Sequence, residues 1–174
     1  AVNVSRILAG LGYATEQTSN CRASGIFLAK ECHAGGMAGI YLNLKGRDPA
    51  VTGQTQIQTQ AEYDTIRTNI VNTFDALTDP ANPGKQVVDE VFLKEELENV
   101  DGANALHPSR AADVVVVFRP PYQTDAATIG QNIAFSQFFG QHGYMPDLVD
   151  IPHNVNMHGV FLAAGPGIRR RGPL

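Results

Sequence analysis

Between residues 59 and 77 the apolar positions recur at spacings of three and four. Tyr63, Ile66, Ile70, Phe74 and Leu77 draw one stripe, and Thr59 with Glu62 ahead of it forms a capping-box pair. This spacing predicts an amphipathic helix. Asp79-Pro80 and Asn82-Pro83-Gly84 stop it, because proline lacks an N–H and disfavours helix in the residue before it. Elsewhere the apolar residues come in short blocks. Gly25 to Ala29 and Gly39 to Leu44 predict strands, and the glycine-rich stretch from His33 to Gly39 predicts neither helix nor strand. Val87 to Leu93 predicts a further strand, followed by an acidic turn from Glu95 to Glu98. Ala112 to Phe118 holds four consecutive valines and a phenylalanine without alternation, the pattern of a strand covered on both faces.

The ends are less regular. Residues 2 to 12 predict a short strand running into one or two helical turns, closed by Gly10 and Gly12. Residues 50 to 60 are polar, with Gln54, Gln56, Gln58 and Gln60 on alternate positions, and predict a surface loop. Residues 124 to 139 predict loop with some helix. A last strand is expected from Gly159 to Ala164, before the turn Gly165-Pro166-Gly167. Strands interleaved with helix point to an α/β layer architecture, and 174 residues make one domain, or part of one.

Charge narrows the partners. Thirteen Lys+Arg against 17 Asp+Glu leave a net charge of -4, which argues against a basic nucleic-acid-binding face. The run Arg169 to Arg171 reads as a solvated tail. No apolar stretch approaches the ~20 residues of a membrane-spanning helix. Two cysteines do not make a disulfide scaffold. Cys21 and Cys32 flank a hairpin-sized loop and are open to two readings, a bridge in an oxidising compartment or two reduced thiols.

Common nucleotide and hydrolase signatures are missing. Gly10-Leu-Gly12 lacks the third glycine of a dinucleotide fingerprint, and Gly84-Lys85 is followed by Gln86. There is no Gly-x-Ser-x-Gly and no His-Glu-x-x-His. Histidine carries what remains. His142, His153 and His158 cluster late in the chain with Asp147 and Asp150, whereas His33 and His107 stand apart. Imidazole and carboxylate suit zinc and similar ions, and Gly140 and Gly143 leave the His142 ring room to approach one.

The order of short motifs resembles the alkaline-phosphatase superfamily, in its type I phosphodiesterase/nucleotide pyrophosphatase branch. Gly39-Ile-Tyr-Leu-Asn-Leu-Lys-Gly-Arg-Asp-Pro49 is similar to that branch's Gly-Ile-Tyr-x-Asn strand and Lys-Gly-Arg-(Glu/Asp)-Pro turn. Ala76-Leu-Thr-Asp-Pro80 resembles its Leu-x-Asp-Pro helix end. Val88 to Leu97, Ala112 to Phe118, Gly140 to Gly143 and Gly159 to Pro166 follow in family order. Val2-Asn3-Val4 looks like the element after the family's Asp-His-Gly motif.

The resemblance implies the C-terminal portion of an alkaline-phosphatase-like three-layer α/β/α sandwich, with residues 1–174 a single partial domain. It implies a hydrolase of phosphate-ester small molecules that uses two metal ions, typically zinc, to activate a Ser or Thr nucleophile. His142 matches the last metal-binding histidine of the family, while His158 falls where other residues are tolerated. Lys45 and Arg47 are open to two roles, phosphate ligands or cations capping carboxylates. No catalytic residue is carried over: the chain contains no Asp-His and no Asp-x-x-x-His, so nucleophile and remaining ligands are expected upstream. With Ala1 in place of Met, this points to a chain cut by cloning, proteolysis or gene truncation. Its expected companions are the missing N-terminal half of the domain or a second copy of itself. Export is the favoured compartment for such enzymes and would favour the Cys21–Cys32 bridge. The alternative is a non-catalytic α/β binding or interaction module derived from the same fold.

Overall fold

A computed structural model describes residues 1–25, 27–100, 102, 104–107, 110–125, 130–136 and 165–166. Helix and strand are mixed, in a general α/β arrangement. The chain runs through α1 (Val4–Gly10), β1 (Ala29–Ala34), β2 (Met37–Leu42), α2 (Gln60–Asp75), β3 (Val88–Leu93), a 3-10 helix (Lys94–Glu98) and β4 (Val114–Phe118). The four strands form one sheet in the order β1-β2-β4-β3, and every described pairing within it is antiparallel. The expected strand from Gly159 to Ala164 lies outside the described residues.

α2 forms where the apolar stripe predicts it. Thr59 caps it by accepting a hydrogen bond from the Glu62 N–H at 3.2 Å, while the Glu62 carboxylate accepts from the Gln58 N–H at 2.8 Å. Tyr63, Ile66, Ile70 and Phe74 are buried. α1 is capped by Asn3, whose side chain accepts from Arg6 N at 3.0 Å. The strand expected at its head is reduced to Val2, which bridges Thr124 on one side and Ile133 on the other.

One expectation is corrected at β1 and β2. The strand occupies residues 29–34 rather than 25–29, and the stretch around Gly35 is the turn of a hairpin. Gly35, at φ 62°, and Gly36 make the two-residue connection that lets Ala34 face Met37 across the strands. Their carbonyls are taken at once. Gly36 O accepts from Phe118 N and Gly35 O from Thr124 N, at 2.9 and 2.7 Å. The polar loop at residues 50–60 is mostly exposed, but Ile57 is buried and exchanges backbone hydrogen bonds with Asn43 and Lys45.

The register assigns each residue a face. Ala29, Glu31 and His33 lie with Leu42, Ile40 and Ala38, and these with Val114 and Val116. This face carries the core, closed by Leu8 of α1 and by Ile66, Ile70 and Phe74 of α2. The opposite face presents Lys30, Cys32, Met37, Gly39, Tyr41, Phe92, Val115 and Val117. Among the described residues both α-helices contribute to the first face, and Leu97, Val100, Ala105 and Ala111 lie over part of the second.

The outer edge of β1 is occupied by the loop before it. Tyr13 O accepts from Ala29 N at 3.0 Å. The Gln17 amide brackets Glu31, accepting from its N–H at 2.9 Å and donating to its carbonyl at 3.1 Å. Asn20 does the same for His33, at 2.9 and 2.8 Å. A disulfide between Cys21 and Cys32 ties the loop to the strand, which decides between the two readings left open by the sequence.

Candidate functional site

Two polar nodes are built into the sheet. The first sits at the end of β1. Glu31 is almost fully buried, and its carboxylate accepts from Gln17 Nε2 at 3.4 Å and faces His33 Nδ1 at 2.9 Å. Gln17 is in turn held by the Ser5 hydroxyl, which accepts from Gln17 N at 3.0 Å and donates to Asn3 Oδ1 at 2.9 Å. The hydrogen bond that His33 makes to the Glu31 carboxylate raises the His33 pKa above its ordinary value. Partial burial of the ring opposes this, and the charges of Glu31 and Asp125 add to it. A carboxylate behind one imidazole nitrogen fixes the tautomer and aims the other nitrogen outward, the usual preparation for proton transfer or ion binding.

The second node lies where β2 leaves the sheet beside β4. Asp113, the residue before the four valines, is 2% exposed and receives four bonds. Arg47 donates to both of its oxygens, at 2.6 and 3.0 Å, Tyr63 donates its hydroxyl at 2.9 Å, and Leu42 its N–H at 2.7 Å. Arg47 also donates to the Leu42 carbonyl and to Asp48, at 2.9 Å in the latter case. Burial works against the Arg47 charge, but the bonds to Asp113 and Asp48 outweigh it and raise the pKa. Burial and the neighbouring Asp113 charge push the Tyr63 hydroxyl up to about 12, so it stays a donor.

A smaller node joins the end of α2 to the turn after β4. Asp79 accepts from Asn82 Nδ2 at 2.6 Å, from the Tyr122 hydroxyl at 2.8 Å and from Ala81 N at 2.9 Å. The bonds from Asn82 and then Tyr122 hold its carboxyl below the usual range, while burial pushes Tyr122 up to about 12.

The residues singled out from sequence fare unequally. His142, His153, His158, Asp147 and Asp150 lie outside the described residues. Of the two roles open to Lys45 and Arg47, the geometry gives Arg47 the carboxylate-capping one and leaves Lys45 on an amide oxygen. Arg47 is paired with Asp113 and Asp48, and Lys45 donates to the Gln58 side chain at 3.1 Å. Among the described residues no three His, Cys, Asp or Glu side chains form a group that could hold a metal ion. Glu31 had no motif to announce it, and Asp113 lay in a motif stretch without being singled out. The signal available was a charge inside an otherwise strand-like run, which in a sheet core demands a partner.

Compared with known proteins, the chain matches no family model, no curated protein and no solved structure.

Proposed function

We propose that this chain is part of a metal-dependent phosphoric-ester hydrolase of the alkaline-phosphatase superfamily, in its phosphodiesterase/nucleotide pyrophosphatase branch. In this reading it is the C-terminal portion of a three-layer α/β/α domain and contributes His142 to the metal centre. The observation that supports it most is the Arg47–Asp113 pair. Arg47 belongs to the Lys-Gly-Arg-Asp-Pro motif and Asp113 to the Ala-Asp-hydrophobic strand, two separate pieces of the resemblance that serve each other in space. The Leu-x-Asp-Pro motif contributes Asp79, which likewise takes up a distant hydroxyl from Tyr122. The meeting of Arg47 and Asp113 supports reading their two motifs together.

Zinc, when bound, would polarise a phosphoryl oxygen and activate a Ser or Thr nucleophile. His142 would hold it through a neutral imidazole. One histidine does not complete such a centre, so the nucleophile and other ligands belong to residues outside these 174. The Cys21–Cys32 bridge is in keeping with an exported enzyme.

The test is the complete gene product, assayed with added zinc on bis(p-nitrophenyl) phosphate, p-nitrophenyl phosphate and a nucleoside triphosphate. Turnover of at least one that requires zinc is expected. His142→Ala should reduce it beyond the ~10–100-fold typical of outer-shell changes at metal sites. The 174 residues alone are expected to be inactive. A gene product with no zinc-dependent hydrolysis overturns the reading in favour of a non-catalytic binding module.

A further inference from the structure

The two amide side chains that cover the outer edge of β1 are anchored unequally. Gln17 is buried, its N–H is bonded to the Ser5 hydroxyl, and its side chain lies against Glu31. Asn20 sits in a run from Thr18 to Arg22 in which every residue is exposed. Among the described residues, few hydrogen bonds tie residues 18–24 to the rest of the molecule. They are the Asn20 pair on the His33 peptide group, at 2.9 and 2.8 Å, and one from Gln17 Nε2 to the Ser19 carbonyl at 3.4 Å. A segment with so little burial and so few bonds opens readily on its own. What fixes it is covalent: Cys21, next to Asn20, is bonded to Cys32, next to His33.

Cys21 is also the one non-glycine residue with a positive φ among the described residues, at 61°. A side chain in the left-handed region carries a conformational cost, so opening the bond lets the segment relax. Cys21 is exposed and Cys32 half-buried, so an incoming thiolate reaches the Cys21 sulfur first.

We propose that the Cys21–Cys32 bond is a redox latch on a strap, residues 18–24, and that reduction by a dithiol lifts the strap off the His33 end of β1 while Gln17 stays on Glu31. One thiolate of the reductant attacks Cys21 Sγ. The S–S bond breaks, and Cys32 leaves with the electron pair and takes a proton from solvent. The second thiol of the reductant then resolves the mixed disulfide, releasing Cys21 as a thiol and closing the reductant's own disulfide. Two electrons and two protons pass to the protein. The latch does not rest on the phosphoric-ester reading, and each can hold or fail without the other.

Trypsin reads the strap at Arg22, and amide exchange reads the edge. The purified protein is compared oxidised, after dithiothreitol, and after reoxidation with oxidised glutathione. Cleavage after Arg22 should rise at least 10-fold on reduction and return on reoxidation. Exchange at the His33 amide should rise at least 10-fold more than at Glu31, whose N–H remains on Gln17. Cys21→Ser with Cys32→Ser should match the reduced protein whatever the redox conditions. Asn20→Ala, with the bond intact, should speed His33 exchange and leave cleavage at Arg22 unchanged. Cleavage unaltered by reduction or by the double serine variant, equal acceleration at His33 and Glu31, or unfolding of the whole chain on reduction would overturn the proposal.

Discussion

Arg47 and Asp113 meet fork to fork, with the two guanidinium nitrogens 2.6 and 3.0 Å from the two carboxylate oxygens. Sixty-six residues separate them in sequence, and the contact holds the exit of β2 against the entry of β4. Asp113 also accepts from Tyr63 of α2, so strand, strand and helix share one carboxylate.

Removing that carboxylate should cost far more than removing any one donor. Asp113→Ala leaves Arg47, the Tyr63 hydroxyl and the Leu42 N–H without their acceptor, and should destabilise by about 3–5 kcal/mol. Tyr63→Phe should cost about 1 kcal/mol, the net value of one hydrogen bond. Arg47→Ala should fall between them, because about a third of the Arg47 side chain is exposed. Urea midpoints for the three variants check the order. Near-equal midpoints for Asp113→Ala and Tyr63→Phe would refute the shared-carboxylate account.

Stability should depend on pH through His33. Its folded pKa is raised, so protonation favours the native state. The contribution is complete below the unfolded value of about 6.5 and disappears as pH rises through the folded value. Glu31→Gln should abolish most of this dependence and bring the ring back toward its ordinary titration. NMR titration of the His33 ring protons in both proteins gives the answer directly.

Asp79 works in the opposite direction. Its folded pKa is lowered, so its contribution is present above the unfolded value near 4 and is lost as pH falls through the folded one. Asp79→Asn should flatten the acid limb of a stability–pH curve. Tyr122→Phe should flatten it in part, since Asn82 and Ala81 still donate. Thermal unfolding between pH 2 and 6 distinguishes the three proteins.

Much of the helical and strand content was legible from spacing. The stripe from Tyr63 to Leu77 specifies α2, and the valine run specifies a strand covered on both faces, because burial alone dictates those patterns. β1 was not legible. Ala-Lys-Glu-Cys-His-Ala has no apolar alternation, and its place in the sheet depends on amides from Gln17 and Asn20 and a disulfide that local sequence does not encode. The polar nodes were hidden for the same reason. Tyr63 counts as apolar in a helical stripe, yet its hydroxyl is committed to an aspartate fifty residues later. The Glu31–His33 pair is visible only once β1 is known to be a strand.

The Cys21–Cys32 bond holds the loop whose side chains bracket β1. Reduction, or Cys21→Ser with Cys32→Ser, should cost about 2–3 kcal/mol for a loop of this size. Amide exchange at Glu31 and His33 should rise by more than at Ile40 in the next strand. Uniform acceleration across both strands would mean that the bond stabilises the whole fold rather than this edge.

The bracketing has a consequence for how the molecule meets its neighbours. Ala29, Glu31 and His33 are the alternate β1 positions whose peptide groups point away from the sheet, and all three amides are already bonded, to Tyr13, Gln17 and Asn20. A stray strand from another chain finds no row of free amides there to zip onto. The sheet is thereby shielded on this side from growing into a larger one, by two amide side chains and one backbone carbonyl acting in place of a fifth strand.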